Sequence, residues 1–338
     1  MKVLVDGAFW SPYASEGRWA YNICRLLSKM DLELYLLIPD LAKKHMYFKD
    51  FNPETWFGAT AVDLSCRTEF DVMFTIQGND PRPGIIAKKR VAAIFEPYWY
   101  GNQFESFGFP PDTTWCYAIQ PYKDEYPHNN WPDRKLSLLP YSPYYEPHSS
   151  NFHNKGILLT IKDPSSLECS DETTRIRLDH FRAAIYFKMH GVKVSVAMGH
   201  RLESQNPIYT EKVKFLLHEL EEVGAVFYDR QSPAAMEALI REHSIIYTGK
   251  VRESILYAAF QDALCLGSLP LIFSDWPEQF FRDPNLFQPC LGMETLIPLT
   301  HRLLTDEELY SSELKKLRSN IDLYTEQQGI EILKGLIG

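Results

Sequence analysis

Short apolar runs alternate with helical segments along the whole chain, and this alternation limits the possible folds more than any other feature. In the first half, residues 18–30 have apolar side chains at helical spacing, and four short runs read as buried strands: residues 2–5, 32–38, 71–76 and 91–95. Short buried strands that alternate with helices are typical of a parallel sheet covered by helices. The sequence therefore predicts an α/β fold.

A second series of strands and helices begins near residue 156. It contains strands at 156–161, 192–198, 225–228 and 245–248, and helices at 171–190, 211–223 and 233–242. Between the two series, residues 96–154 are rich in Pro, Tyr, Trp and Asn, which predicts long loops with one strand at 135–139. We therefore expect two domains, 1–150 and 151–320, joined by a linker near 146–155.

Composition agrees with two globular domains. A chain of 338 residues with 45% apolar and 23% charged residues can bury two cores. No apolar run approaches the roughly 20 residues that a membrane-spanning helix needs. The N-terminus has no signal-peptide pattern, so we expect a cytoplasmic protein.

Charge and cysteine content argue against two classes of site. The six cysteines are scattered without C-x-x-C spacing, which indicates neither a zinc site nor a redox pair. The net charge of −9 is unfavourable for broad nucleic-acid binding, which normally needs a basic face. A local basic groove remains compatible with this charge.

An acid lies at each end of a helical run in "RESILYAAFQDALCLGSLPLIFSD", residues 252–275. Glu253 opens this run and Asp262 lies near its end, before the turn at Gly267 and an apolar strand. This order resembles family 4 glycosyltransferases, in which two acids flank such a helix. The spacing here is one residue longer, and Asp replaces the second Glu of the family.

Two other stretches carry the same resemblance. "VDGAFWSPYASEGRWAYNICRLL" resembles the family's opening strand, loop and helix, and "LFQPCLGMETLIPLTHRLLTDEELYSSELKKLRSNI" resembles its closing helices. The resemblance implies the GT-B architecture, in which two Rossmann-like domains face a cleft. It also implies that a C-terminal helix at 321–338 packs back on the first domain.

The resemblance gives roles to particular residues. Asp262 corresponds to the acid that accepts hydrogen bonds from the ribose of the nucleotide, and Glu253 to the acid that contacts the donor sugar. Gly17 and Arg18 begin the first helix, where free N–H groups can bind a phosphate. The alternatives are a solvated helix residue for Asp262 and an ordinary helix cap at Gly17.

Cations near the second domain are expected to stabilise the departing diphosphate. The candidates are Lys162, Arg175 and Arg177, with Gly249, Lys250 and Arg252 in the loop before Glu253. Each alone could equally be a solvated surface charge. GT-B enzymes generally need no metal, and the dispersed histidines and missing Asp-x-Asp motif agree with this.

Phage DNA β-glucosyltransferases share this architecture and place a catalytic base after a strand. Glu96, in "VAAIFEPYW", resembles that base, and Asp6 is a second strand-end acid. Many retaining family 4 enzymes carry a His at the position of Glu96, so its absence argues against a retaining mechanism.

The resemblance therefore implies transfer of a sugar from a nucleotide sugar, UDP-sugar above others, without a further cofactor. The acceptor hydroxyl could belong to a saccharide, to a lipid-linked or small molecule, or to a hydroxymethylated DNA base. Two alternatives stay open: a sugar-nucleotide epimerase of the same architecture, and a non-catalytic module that binds nucleotide sugars.

Overall fold

The chain contains two compact units. The computed structural model describes residues 1–6, 15–38, 56–76, 82–94, 108–117, 136–140, 146, 148–161, 171–198, 207–229, 231–248, 258–272, 292–321 and 323–338. The first unit comprises Met1–Tyr144, Glu253–Ile255 and Tyr324–Gly338, and the second comprises Tyr145–Arg252 and Leu256–Leu323. Each unit is built on one parallel sheet, so the α/β prediction is confirmed.

The first unit has a seven-stranded sheet in the order β3-β2-β1-β4-β5-β6-β7, and all of its strand pairs are parallel. Its strands are β1 (Lys2–Asp6), β2 (Glu33–Leu37), β3 (Thr60–Val62), β4 (Glu69–Ile76), β5 (Ile86–Ile94), β6 (Thr114–Tyr117) and β7 (Leu136–Leu138). Helix α1 (Ser15–Leu27) contacts β1 and β4. Apolar residues of α1 such as Trp19 and Ile23 are fully buried, as the helical spacing predicts.

The strand predictions for this sheet need three corrections, the first of which is β3, a short and largely exposed strand that the sequence analysis does not predict. β6 lies in the stretch that the sequence analysis assigns to loops. The sequence does not predict this strand because its four residues follow a Pro-rich turn and show no alternation of apolar and polar residues. β5 begins at Ile86 rather than at residue 91, because the cations Lys88, Lys89 and Arg90 interrupt its apolar run. Pairing with β4 and the ion pair of Lys88 with Asp71 make this cationic stretch extended.

The second unit has a five-stranded parallel sheet in the order β10-β9-β8-β11-β12. Its strands are β8 (Gly156–Ile161), β9 (Lys193–Met198), β10 (Val226–Asp229), β11 (Ile245–Thr248) and β12 (Leu269–Ile272). Its described helices are α2 (Asp171–Met189), α3 (Pro207–Glu222), α4 (Pro233–Arg241), α5 (Ala258–Leu266), α6 (Met293–Thr305) and α7 (Glu307–Asn320).

Side chains from the central strands build the core of the second unit. Leu158 and Ile246 pack against Leu239 of α4 and against Ala263 and Leu266 of α5. Because β8 and β11 lie inside the sheet and are covered by helices, their sequences are continuously apolar. This packing orients α5, which carries Asp262, directly beside the sheet.

Side-chain caps begin helices in both units. Ser232 and Asp306 accept hydrogen bonds from backbone N–H groups in the first turns of α4 and α7. In the first unit, Thr325 and Gln328 form a capping box that starts α8 (Glu326–Ile337). Helix α8 contacts α1. Lys29, two residues after the end of α1, forms an ion pair with Glu326 of α8.

In the described part of the chain, no helix is both long enough and apolar enough to cross a membrane.

A buried polar network holds residues 148–151 against the turn between α5 and β12. The Asn151 side chain donates to the Leu266 carbonyl at 2.8 Å and to Ser268 Oγ at 2.9 Å. Tyr310 of α7 donates to the carbonyls of Ser244 and Gly267 at 2.6 and 3.0 Å. The segment that leads into the second unit is therefore bound to this turn by several hydrogen bonds.

Gly267 is required at this turn by both its conformation and its surroundings. Its φ is +91°, and an added Cβ would lie 3.1 Å from His148 Cδ2 and 3.3 Å from Asn151 Oδ1. We expect Gly267→Ala to lower the free energy of unfolding of the second unit by about 2 kcal/mol. The control is Gly335→Ala in α8, where a Cβ meets open space and a helical Ala should stabilise by about 0.5–1 kcal/mol. Denaturant unfolding measures both, and equal effects would contradict the strain at Gly267.

Candidate functional site

In the first unit, polar side chains gather at the carboxyl ends of β1 and β4. Asp6 is the last residue of β1 and pairs in register with Thr75 of β4. The Asp6 side chain is 5% exposed, and Arg82 donates from Nε to its Oδ2 at 2.8 Å. The two charged residues are 76 positions apart in sequence, so only the fold brings them together.

The turn that carries Arg82 is held by β5. Ile85 N–H donates to the Arg82 carbonyl at 3.0 Å, which closes the turn. Arg90 donates from Nη2 to the Ile85 carbonyl and from Nη1 to Met73 Sδ. Burial lowers the pKa of the Arg90 guanidinium, and nearby Asp112 opposes this change. Arg90 thus fixes the turn from which Arg82 reaches Asp6.

Gly17 and Arg18 both lie within the first turn of α1, because this helix begins at Ser15. The sequence analysis expects the helix to start at Gly17–Arg18, whereas it begins two residues earlier, at Ser15. The Arg18 side chain is 6% exposed, and its guanidinium carbon lies 5.3 Å from the ring centroid of Tyr21. Phosphate binding by this turn stays a prediction.

In the second unit, Asp262 lies on α5, the first described helix after β11. It is only 5% exposed, on a helix whose other residues, apart from Gln261, are apolar. A carboxylate buried to this extent needs hydrogen-bond donors around it. Gln261 and Thr248, the last residue of β11, are also buried, at 6% and 1% exposure. The interpretation of Asp262 as a solvated helix residue is therefore wrong.

The other candidates cannot be compared with the structure at the level of side chains. Arg175 and Arg177 lie in α2, but only the backbone of this part of the helix is described. The remaining candidates lie outside the described residues: Glu96, Lys162, Gly249, Lys250, Arg252 and Glu253. The assignments of a catalytic base and of phosphate-binding cations thus stay predictions.

Within the described residues, no group of three or more His, Cys, Asp or Glu side chains could hold a metal ion. Four cysteines in that part of the chain, Cys24, Cys66, Cys116 and Cys265, are free thiols. Burial raises the pKa of the Cys116 thiol to about 12, so it stays protonated at neutral pH. The proposals of no metal and no resident cofactor stay predictions.

Sequence reasoning missed Thr75, Arg82 and Gln261. Thr75 lies inside a strand that reads as uniformly buried, and Arg82 lies in a turn that reads as solvated. Arg82 contacts Asp6, 76 positions away in sequence, and no local motif marks any of the three residues. A polar residue near the carboxyl end of a buried strand can indicate a ligand site, and Thr75 is such a residue.

The fold resembles solved glycosyltransferase structures. A glycosyltransferase from Rickettsia africae matches with a TM-score of 0.57 at 8% identity, over 99% of this chain and 97% of that one. HepE of Anabaena, solved with UDP and glucose, matches with a TM-score of 0.56 at 10% identity, over 99% and 98% of the two chains. This chain has the GT-B fold.

A longer structure is also similar. TarM of S. aureus, solved with UDP and saccharide ligands, matches with a TM-score of 0.50 and 12% identity. The match covers 79% of this chain and 55% of the TarM chain, so this GT-B chain spans about half of that protein. Comparison of the sequence with protein-family models and with curated proteins finds no match.

Proposed function

We propose that this GT-B protein transfers a sugar from a nucleotide sugar, most favourably a UDP-sugar, to an acceptor hydroxyl. The observation that carries the proposal is the buried Asp262 on α5, the first described helix after β11 in a parallel sheet. Ligands of such sheets bind outside the carboxyl ends of the strands. The UDP bound to the structural neighbours HepE and TarM supports this choice of nucleotide.

Asp262 is proposed to accept hydrogen bonds from the two ribose hydroxyls of the nucleotide. A carboxylate has two acceptor oxygens and no donor, which suits a vicinal diol. Lys162, Arg175, Lys250 and Arg252 are proposed to balance the negative charge of the diphosphate, and Glu253 is proposed to contact the donor sugar. Gly249 is proposed to allow a close approach of the diphosphate to the backbone. Gly17 and Arg18, in the first turn of α1, are proposed as phosphate-binding residues of the first unit.

The reaction is proposed to invert the anomeric centre. A general base takes the proton of the acceptor hydroxyl, and the oxygen forms a bond to the anomeric carbon of the donor. The bond from that carbon to the phosphate oxygen breaks, and the nucleoside diphosphate leaves with the electron pair. Glu96 is proposed as the base and Asp6 as the second candidate.

Asp6 also supports a second function, a module that binds a sugar without transferring it. Its carboxylate already accepts a hydrogen bond from Arg82, which makes it less available as a base. If the protein only binds, Glu96→Gln leaves its role intact. An epimerase of the same architecture is distinguished by its product, an isomerised rather than a transferred sugar.

Thermal unfolding with UDP, GDP, ADP, CMP and dTDP tests the proposed donor site. A nucleotide at 100 times its dissociation constant should stabilise the protein by about 2.7 kcal/mol. We expect this for UDP, and we expect Asp262→Asn to remove it because the amide loses a charged acceptor. Glu222→Gln at the exposed end of α3 is the control and should keep the full shift. No shift with any nucleotide would refute the transferase proposal.

A further inference from the structure

One face of the first sheet becomes polar where its strands end. In register, Leu4 pairs with Met73, which pairs with Arg90 on β5. Two residues further along the strands, Asp6 pairs with Thr75, which pairs with Ala92. Side chains two residues apart in a strand point to the same face, so the polar row lies directly beyond the apolar contact of Leu4 with Met73.

Asp6 and the Arg82 side chain beside it are held in place by contacts within the first unit. The Asp6 and Arg82 side chains are 5% and 16% exposed, and they share the 2.8 Å hydrogen bond. Arg82 has a φ of 48°, an uncommon conformation for a residue other than glycine. Such backbone strain persists only where surrounding contacts maintain it, and here Arg90 and the closed turn supply those contacts.

Thr75 is the member of this row whose hydroxyl has no hydrogen-bond partner within the described residues. The residue is 3% exposed. A buried hydroxyl without a partner is destabilising. A ligand that brings a hydroxyl group to this row would remove that cost.

We infer that Asp6, Thr75 and Arg82 bind a vicinal diol of a neutral saccharide, with Arg82 as the residue that positions Asp6. This inference rests on the proposed function and names a saccharide as the acceptor class. In this arrangement Asp6 accepts a hydrogen bond from one hydroxyl of the diol, and the Arg82 guanidinium donates to the oxygen of the other hydroxyl. The Thr75 hydroxyl forms a hydrogen bond with one of these two ligand hydroxyls. Asp6 and Arg82 neutralise each other, so the site has no excess positive charge for a phosphate and favours an uncharged ligand.

Saturation-transfer NMR with methyl glycosides of glucose, galactose and mannose tests this site on the full-length protein. We expect the wild type to bind at least one of them and Thr75→Val to weaken that binding about 5-fold, the loss of one hydrogen bond. Thr113→Val is the matched control, because Thr113 is 2% exposed and its hydroxyl also lacks a partner among the described residues. Both valine variants should unfold at or above the wild-type temperature, so a difference in binding between them is not structural.

Arg82→Lys provides a second variant, since lysine keeps the charge but loses the planar fork of donors. We expect weaker glycoside binding with an unchanged UDP shift. If UDP binds and no glycoside binds, the inference fails and the proposed function stands. If neither binds, both fail. Equal binding by wild type and Thr75→Val, or displacement of the glycoside by inorganic phosphate, would also overturn the inference.

Discussion

Replacing Asp6 by alanine should lower the free energy of unfolding of the first unit by about 3 kcal/mol. The substitution removes the carboxylate that pairs with Arg82, whose side chain is only 16% exposed. Breaking a buried ion pair costs more than the pair contributes, because the remaining charge loses this carboxylate at a place where water replaces it poorly. Urea unfolding of the variant, followed by tryptophan fluorescence, measures this loss.

A surface ion pair in the same unit provides the control. Lys88 and Asp71 lie 2.7 Å apart, with side chains 62% and 35% exposed. The pair lowers the pKa of Asp71 and raises that of Lys88, but water screens both charges. We expect Lys88→Ala to change the stability far less than Asp6→Ala does, because solvent screens this pair. The double variant Asp6→Leu with Arg82→Met should recover much of the loss, and a double variant no better than Asp6→Ala would contradict the charge explanation.

Acidification should destabilise the second unit through His243. This side chain is fully buried; its Nδ1 donates to the Leu239 carbonyl at 2.7 Å and its Nε2 accepts from Ser195 Oγ at 2.9 Å. The pKa of His243 is lowered from 6.5 to about 4, chiefly by burial and to a smaller extent by Lys193, while the hydrogen bond to the Leu239 carbonyl and the charge of Glu242 act in the opposite direction. The imidazole is therefore neutral in the folded protein at neutral pH.

The pH range of this effect follows from the two pKa values. Below pH 6.5 the unfolded chain binds a proton at His243 that the folded protein does not bind. Stability therefore falls as the pH drops from about 6.5 to about 4, by about 3 kcal/mol in total. Below that range both states are protonated and the contribution stops changing.

His190 offers a matched control for this titration. Its Nδ1 also forms a hydrogen bond with the carbonyl of the residue four positions earlier, Tyr186, at 2.7 Å, but His190 is exposed to solvent. We expect His243→Asn, which keeps a donor for Leu239, to remove most of the pH dependence between pH 6.5 and 4. His190→Asn should leave it unchanged. Urea unfolding at several pH values measures both, and an unchanged profile in His243→Asn would refute the role of His243.

The two sheets could be predicted because several of their central strands are largely apolar. Residues 156–161 and 245–248 form β8 and β11 with the predicted bounds, since strands buried on both faces have uninterrupted apolar sequences. β6 and the first residues of β5 could not be predicted. Their extended structure depends on pairing with β5 and β4, which local sequence does not encode.

The candidate residues of the two units divide in the same way. The sequence by itself determined the α/β class, the strand-end position of Asp6 and the helix that carries Asp262, because periodicity and local motifs are properties of neighbouring residues. Only the tertiary structure decided that Asp262 is buried, that Arg82 pairs with Asp6 and that Thr75 lies beside them. Those contacts join residues far apart in the chain, and parallel strands bring them together only when the sheet has formed.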